Sequence, residues 1–587
     1  MLRSALILIL AFLALSSLAL EEPSQADDYL TAAAIFKESF QYDKAIEILE
    51  NSSQLKENNE LARYLARLYF LSGKHNKALS IFERIKDKNW LDYIYLGLIH
   101  EETNQYSKAL RSYRRSIELK DSSIALFRSG KIYRLKKDYK KACDFFQKVL
   151  DVDSSIRIAN FYLGECSLKI GHNEQAYSHL SKAITFYPQN KEIQTLLSEA
   201  KAKLGPDYFK TREKDKTIKR KRVKFAPIRP DEDSPLVRVA IAQDLNKFSF
   251  SCQGQFLIKD ESTDYQGKAG EIYTLARKGK RLYLYGYEDK KELKNFSSKV
   301  TISSIREQGL SFAFYVLDIV YGQDDFWQKK LDRAYQGDLE ALLVKNELIL
   351  INILSIEDYL KGILSAEIPA SSAEEALCAQ AVAARTFAVR NRNRHKEKFF
   401  DFCSDVHCQS YHGLSARTKA TDKAVDLTRG EILVFNEKPI EAFYHSNCGG
   451  CLSADSFGNI EYLEAKIDSA SGVMPDSSYL QEMWFIQEPA TYSESGSKSS
   501  YRWQRVYDRE DFRYIFGESL QSLDAINPRS KGDCLRYKEV SVDIAGQSLN
   551  LKGDLNIRNY FDKLRSNAFI NEIKYDSKNL PDLLIFW

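Results

Sequence analysis

The chain has 587 residues, 28% of them charged, and its 85 Lys and Arg against 81 Asp and Glu leave a formal net charge of +4. That length exceeds what one hydrophobic core organises and implies roughly two to four domains. The near balance of charge excludes a strongly basic nucleic-acid binder, so no nucleic-acid partner is expected.

Met1, Leu2 and Arg3 precede an apolar run from Ala5 to Leu15 and a small-residue exit, Ser16-Ser17-Leu18-Ala19. This is the layout of a secretory signal over residues 1–19, with cleavage expected after Ala19. An uncleaved anchor is the alternative, although the run is short for a bilayer span. Either way the expected location is extracytoplasmic or periplasmic, with membrane association if the signal stays.

Residues 27–205 carry an internal repeat. Ala45, Ala78, Ala109, Ala142 and Ala176 recur at separations of 33, 31, 33 and 34, and twelve positions before each stands Ala33, Ala66, Gly97, Gly130 or Gly164. Small residues at both places let two paired helices approach closely. Turn signals such as Gly73-Lys74-His75-Asn76 and Gly171-His172-Asn173-Glu174 fall where the pairs must reverse. Over five units, with Pro188 near the end of the last, this resembles the tetratricopeptide repeat. The resemblance implies an all-α solenoid that binds a protein or peptide.

Residues 206–235 read as a basic, Pro-containing linker, with Lys219-Arg220-Lys221-Arg222 at its centre and Pro227, Pro230 and Pro235 at its end. A solvated linker is the plain reading; a contact for an anionic wall polymer or membrane surface is the other. From Val237 alternating runs predict strands at Val237–Ala242, Gln255–Ile258, Arg281–Tyr285, Leu348–Ile353, Glu431–Phe435 and Val540–Ile544. Residues 236–587 are expected to form one α+β domain with inserted helices.

Within it, Ser355-Ile356-Glu357-Asp358 reads as a capped helix start, and Ser372-Ala373-Glu374-Glu375 as a capping box opening a second, alanine-rich helix through Ala388. Glu367 is placed between them, in neither helix, just before Pro369. A carboxylate in such a corner is either an exposed surface glutamate or a catalyst, and spacing alone does not separate the two.

A longer ordered set of motifs bears on that choice: Tyr335-Gln336-Gly337, Asn352 to Leu360, Ala366-Glu367-Ile368-Pro369-Ala370, the Ala376 to Thr386 helix, Cys403 to Tyr411, Tyr444-His445-Ser446-Asn447-Cys448-Gly449-Gly450, then Leu551-Lys552-Gly553, Asn556-Ile557-Arg558 and Leu564 to Phe569. Together these resemble the SpoIID family, stage II sporulation protein D, of peptidoglycan lytic transglycosylases. The resemblance implies an exported enzyme that cleaves between N-acetylmuramic acid and N-acetylglucosamine, leaves a 1,6-anhydro sugar, and prefers strands stripped of stem peptides. Ordinary glycosidases use two carboxyl groups. Here the sugar's own 6-hydroxyl replaces water, so Glu367 would serve as acid and then base, which requires a pocket that raises its pKa.

The family's second active-site strip falls on Tyr444-His445-Ser446, read as a strand end. His445 and Ser446 are therefore candidates to hydrogen-bond sugar hydroxyls or orient the acid, a structural histidine being the alternative. Gln380, Arg385, Gln409 and Tyr411 are further groove candidates.

Some family members hold zinc through one histidine and two cysteines near Cys403-Ser404-Asp405-Val406-His407-Cys408. Here His395 lies eight residues before Cys403, and His407 adjoins Cys408. Cys448 and Cys451 add a CxxC pair. A four-cysteine zinc site, a Cys/His site using His395, Cys403, His407 and Cys408, and two disulfides all stay open. Zinc or disulfide would brace the loop; no cofactor is required for the chemistry. The competing function is a non-catalytic glycan-binding scaffold in a wall-remodelling complex. An upstream amidase or a divisome component is the class of protein partner expected at the repeats, with sporulation, division and wall turnover equally open.

Overall fold

The computed structural model describes residues 26–218, 224–321, 329–454, 460–468, 475–487, 502–515, 523–544, 546–578 and 580–587. The signal segment 1–19 lies outside the described residues, as do the side chains of 210–223. The protein is mixed α+β, with an N-terminal helical repeat region followed by sheet-rich structure. Among the described residues no helix is long and apolar enough to cross a membrane.

The chain divides into two compact units, Met1–Arg212 with Asn447–Trp587, and Glu213–Ser446. The sequence led us to expect one domain over 236–587; the structure splits that span at Ser446 and packs its last part on the repeats.

In the first unit five helix pairs follow one another: α1 (Ala26–Glu38) with α2 (Tyr42–Glu50), α3 (Asn59–Leu71) with α4 (His75–Arg84), α5 (Trp90–Glu102) with α6 (Tyr106–Leu119), α7 (Ser123–Leu135) with α8 (Tyr139–Val152), and α9 (Ile158–Lys169) with α10 (Asn173–Phe186). A last helix, α11 (Lys191–Ile218), is broken at Gly205, whose φ is 72°. The small residues sit where the pairs touch. A Cβ on Gly97 would come within 2.3 Å of the Tyr113 ring, one on Gly130 within 2.8 Å of Phe146, and one on Gly164 within 2.7 Å of Leu180.

The C-terminal segment completes this core. Tyr507, Phe586 and Trp587 bury in one cluster with Tyr64, Tyr95, Phe127 and Tyr162 of the repeats. Charge fixes the match. Lys37 Nζ lies 2.9 Å from Glu482 and 3.1 Å from Glu572, and Arg67 Nη2 lies 2.5 and 2.8 Å from the same carboxylates. Farther along, Arg128 meets Asp508 at 2.6 Å, Lys131 meets Asp511 at 3.0 Å, and Arg134 meets Glu510 at 2.9 Å. All five cations stand on the first helices of their pairs. The segment itself forms two three-stranded sheets and short helices, and a disulfide joins Cys451 to Cys534.

The second unit holds a seven-stranded and a six-stranded sheet. They share one core, in which Val237, Val239 and Ile241 meet Phe248, Phe250 and Leu275. In the larger sheet, strand Leu236–Leu245 pairs antiparallel with Glu347–Ser355. Of the expected Glu431–Phe435 strand only Val434–Phe435 pairs. Strand Glu347–Ser355 runs straight into α12 (Ile356–Glu367), followed by α13 (Glu374–Arg390) and α14 (Lys419–Leu427).

The glycine contacts carry a sign test. On helix propensity alone Gly97→Ala should stabilise by about 1 kcal/mol; overpacking against Tyr113 should cost about 1–3 kcal/mol. We expect a net loss in chemical denaturation, and a net gain would mean that α5 and α6 are loosely packed.

Candidate functional site

The corner around Glu367 is built by how α12 begins and ends. Ser355 caps it, its Oγ accepting from the Asp358 N–H at 3.1 Å. At the other end Pro369 forbids helical geometry at the residue before it, and Ile368 is extended with φ −140° and ψ 140°. Glu367 is therefore the last residue of α12, where the sequence reading put it outside both helices. The next helix also starts differently: α13 has Ala373 at its N-cap and no side-chain cap bond, so the expected Ser372 capping box does not form.

The Glu367 carboxyl is half-buried and accepts the Ser410 N–H at 2.8 Å. Burial pushes its pKa up, and the Ser410 bond offsets this only in part. Burial and the nearby Glu367 carboxyl likewise push the Tyr444 phenol up. Gln409 ties the surroundings together: its Oε1 accepts from the Tyr359 hydroxyl at 3.0 Å, while its Nε2 donates to the Ala384 carbonyl at 3.2 Å and to Tyr444 Oη at 3.0 Å. Such a corner holds a carboxyl in its protonated form to higher pH than an exposed glutamate, which suits a general acid.

Several expected groove residues have other tasks. Arg385 is buried, with Nε 2.9 Å and Nη2 2.8 Å from the two Glu357 oxygens, and it donates to the Glu431 and Val425 carbonyls. It pins α13 to α12 and does not line a groove, because a guanidinium facing an alanine-rich wall needs a buried carboxylate. Tyr411 is 1% exposed and donates to Asn352 at 2.6 Å. Gln409, also 1% exposed, positions Tyr359 and Tyr444. Gln380 is half-buried, and its amide nitrogen has no hydrogen-bond partner among the described residues.

His445 and Ser446 are exposed and lie in a loop, not at a strand end. Ser410 bonds Glu367 through its N–H, and Tyr444 and Tyr359 stand close enough to feel its charge. Sequence reasoning named Tyr444 only as part of a motif and passed over Ser410, whose contribution is a backbone N–H that no side-chain pattern reveals.

One group of metal-ligand types is present among the described residues: His395, Cys403, His407 and Cys408, with ligand atoms all within 4.8 Å of one another. His395 Nε2 is 3.3 Å from Cys408 Sγ; His407 Nδ1 is 3.7 Å from Cys403 Sγ and 3.6 Å from Cys408 Sγ. A tetrahedral zinc with ordinary bond lengths places such donors roughly 3.5 Å apart, so the set fits zinc. The CxxC pair does not stay together. Cys451 bonds Cys534, and the Cys448 thiol donates to Asp468 at 3.2 Å.

Residues 344–435 match the family model described as stage II sporulation protein, SpoIID, and residues 36–89, 93–123 and 124–153 match tetratricopeptide-repeat models. An uncharacterized protein of Brachyspira hyodysenteriae is 32% identical over 36% of this chain and 56% of its own length. Stage II sporulation protein D of Bacillus subtilis is 35% identical over 33% of this chain and 55% of its own. The chain thus spans about half the length of these relatives. Amidase enhancer of Bacillus subtilis is 38% identical over 19% of this chain and 15% of its own length. Among solved structures, YrrB, described as a tetratricopeptide-repeat protein with an unusual peptide-binding site, is 20% identical with a TM-score of 0.27, covering 32% of this chain and 96% of that one.

If Arg385 is a structural clamp, Arg385→Ala should cost about 3–5 kcal/mol by stranding buried Glu357, and the apolar pair Arg385→Met with Glu357→Leu should recover most of it. Urea denaturation reads both. A stable Arg385→Ala protein would return Arg385 to the list of groove residues.

Proposed function

We propose that this protein is an exported peptidoglycan lytic transglycosylase in which Glu367 protonates the glycosidic oxygen and then takes the proton of the attacking 6-hydroxyl. The matches to SpoIID relatives support a role at the cell wall. The observation that carries the specific reading is the single half-buried carboxyl at the end of α12, its pKa raised by burial. One such group suffices when the nucleophile belongs to the substrate. Export is supported by the disulfide, which belongs to an oxidising compartment. Preference for strands without stem peptides, and a wall amidase as the protein acting upstream or docking at the repeats, belong to the same reading.

Purified glycan strands treated with wild type should yield anhydromuramyl ends by mass spectrometry, and Glu367→Gln should lower their rate by about 10²–10⁴-fold. The acid works while protonated, so wild-type activity should fall as pH rises through the elevated Glu367 pKa. If both proteins bind strands and neither makes such ends, the scaffold reading replaces the enzyme.

We also propose that His395, Cys403, His407 and Cys408 hold a structural zinc that braces the loop following α13. Metal analysis should find about one zinc per chain, lost in Cys408→Ser together with thermal stability. A metal-free protein in which Cys403 and Cys408 fail to react with a thiol reagent until reduced would identify a disulfide.

A further inference from the structure

Three cysteines of the first unit, Cys448, Cys451 and Cys534, line one pocket, and the chemistry at Glu367 uses none of them. Cys451 is bonded to Cys534 across 83 residues, while Cys448 keeps its thiol. A nucleophile and a disulfide therefore share one small cavity. Cys448 and Cys451 are 7% and 6% exposed, whereas Cys534 is half-buried.

The backbone brings Cys448 within reach of Cys451. Gly449 and Gly450 make the turn that leads from Cys448 into strand Cys451–Leu452, at φ 70° and 98°, a region that favours glycine. A turn with two central residues brings the Cα atoms on either side of it to within about 7 Å. A disulfide spans about 4.4–6.8 Å between Cα atoms, so the two distances meet. Strand Cys451–Leu452 pairs with Lys466–Ile467, and the residue that follows, Asp468, closes on the turn from both ends: its N–H donates to the Gly450 carbonyl at 2.9 Å, and its carboxylate accepts the Cys448 S–H at 3.2 Å. The thiol proton thus has an acceptor in place.

Cys534 is the sulfur placed to leave. It is the most exposed of the three, and its backbone sits in the left-handed region at φ 53° and ψ 27°, which is unfavourable for a residue with a Cβ. The loop that carries it does not rely on the disulfide alone. Asp533 accepts from the Ser453 hydroxyl and, at 2.7 Å, from the Ala454 N–H, so loop and strand stay together when the S–S bond moves.

We propose that Cys448, Cys451 and Cys534 form a thiol–disulfide exchange site, in which Cys448 displaces Cys534 from Cys451. The Cys448 sulfur attacks Cys451 Sγ, the Cys448–Cys451 bond forms as the Cys451–Cys534 bond breaks, and the electron pair of the broken bond leaves on Cys534. The proton of Cys448 departs through Asp468, and solvent returns one to Cys534. One thiol and one disulfide enter and one of each leaves, so no outside oxidant or reductant takes part. The swap trades a crosslink between residues 83 apart for one within a turn, and a buried thiol for a more exposed one. It is independent of the lytic reading of Glu367.

The test incubates the full chain, never exposed to reductant, with N-ethylmaleimide at neutral pH, stops the exchange with acid, and reads an unreduced digest by mass spectrometry. Alkylated Cys534 should accumulate together with a peptide carrying the Cys448–Cys451 bond, at a rate independent of protein concentration because the attack lies within one chain. Cys448→Ser removes the nucleophile and should lower alkylation of Cys534 by about tenfold or more. Equal alkylation of Cys534 in that variant, or none in wild type, overturns the proposal. A rate that rises with protein concentration places the exchange between chains and overturns it too. Cys534→Ser gives a second reading: with glutathione disulfide as oxidant, which takes up the two electrons and becomes two glutathione thiols, Cys448 and Cys451 should bond to each other. A product that keeps both thiols, or carries glutathione on both, counts against the exchange. If Cys534→Ser fails to fold, wild type and Cys448→Ser decide between the outcomes.

Discussion

The first unit depends on two glutamates that reach the repeats from far along the chain. Glu482 and Glu572 are buried between Lys37 and Arg67, and Tyr64 donates to the same Glu482 at 2.7 Å. Attraction between buried charges is largely offset by their desolvation, so such a cluster adds little net stability over a well-packed apolar one. What it does is exclude alternatives, because a shift of the segment by one helix pair would leave four charges buried and unmatched. The neighbouring group of Arg128, Lys131 and Arg134 with Asp508, Glu510 and Asp511 repeats the constraint one side over. Acids in the segment thus act as a key for the basic row on the first helices.

That arrangement changes what the repeats are available for. Tetratricopeptide repeats are protein-binding modules, and the peptide met by their first helices here is the chain's own. An outside partner has either to use other faces of the helix pairs or to compete with a buried ion network and a shared aromatic core. Competition of that kind is expensive, since stranding one member of a buried pair costs about 3–5 kcal/mol.

Periodicity made the repeats legible, down to the glycines at Gly97, Gly130 and Gly164, because each unit repeats the same local contact. Ser355 was legible for a similar reason: an N-cap is a local event. The alanine-rich helix was seen, but not the reason for its one buried cation, since Glu357 lies 28 residues away and nothing in the spacing ties it to Arg385. The pairing of Cys451 with Cys534 across 83 residues escaped for the same reason, and a CxxC spacing pointed elsewhere. The domain boundary was missed because alternating strands look alike whichever core they join. Buried complementary charge assigns the last segment to the repeats, and charge complementarity is a property of pairs.

The site shows the same division between local and distant information. Pro369 is enough to end α12, and the end of a helix is enough to put Glu367 at a corner, so the position of the acid could be read from the sequence. Its environment could not. The raised pKa comes from burial in surroundings supplied by two other stretches, Tyr444 on one and Gln409, which holds Tyr444 in place, on the other, while the N–H of Ser410 beside Gln409 pulls the pKa part of the way back down. Arg385 and Tyr411, which a motif reading assigns to the substrate, hold the walls of that corner instead. A motif therefore mixes residues that face the Glu367 carboxyl with residues that hold the walls around it, and the partners of each hydrogen bond tell them apart. By that measure Glu367 is the residue around which the others are organised, since the Ser410 N–H bonds it and Gln409 holds Tyr444 within reach of its charge, while the bonds of Arg385 and Tyr411 go elsewhere.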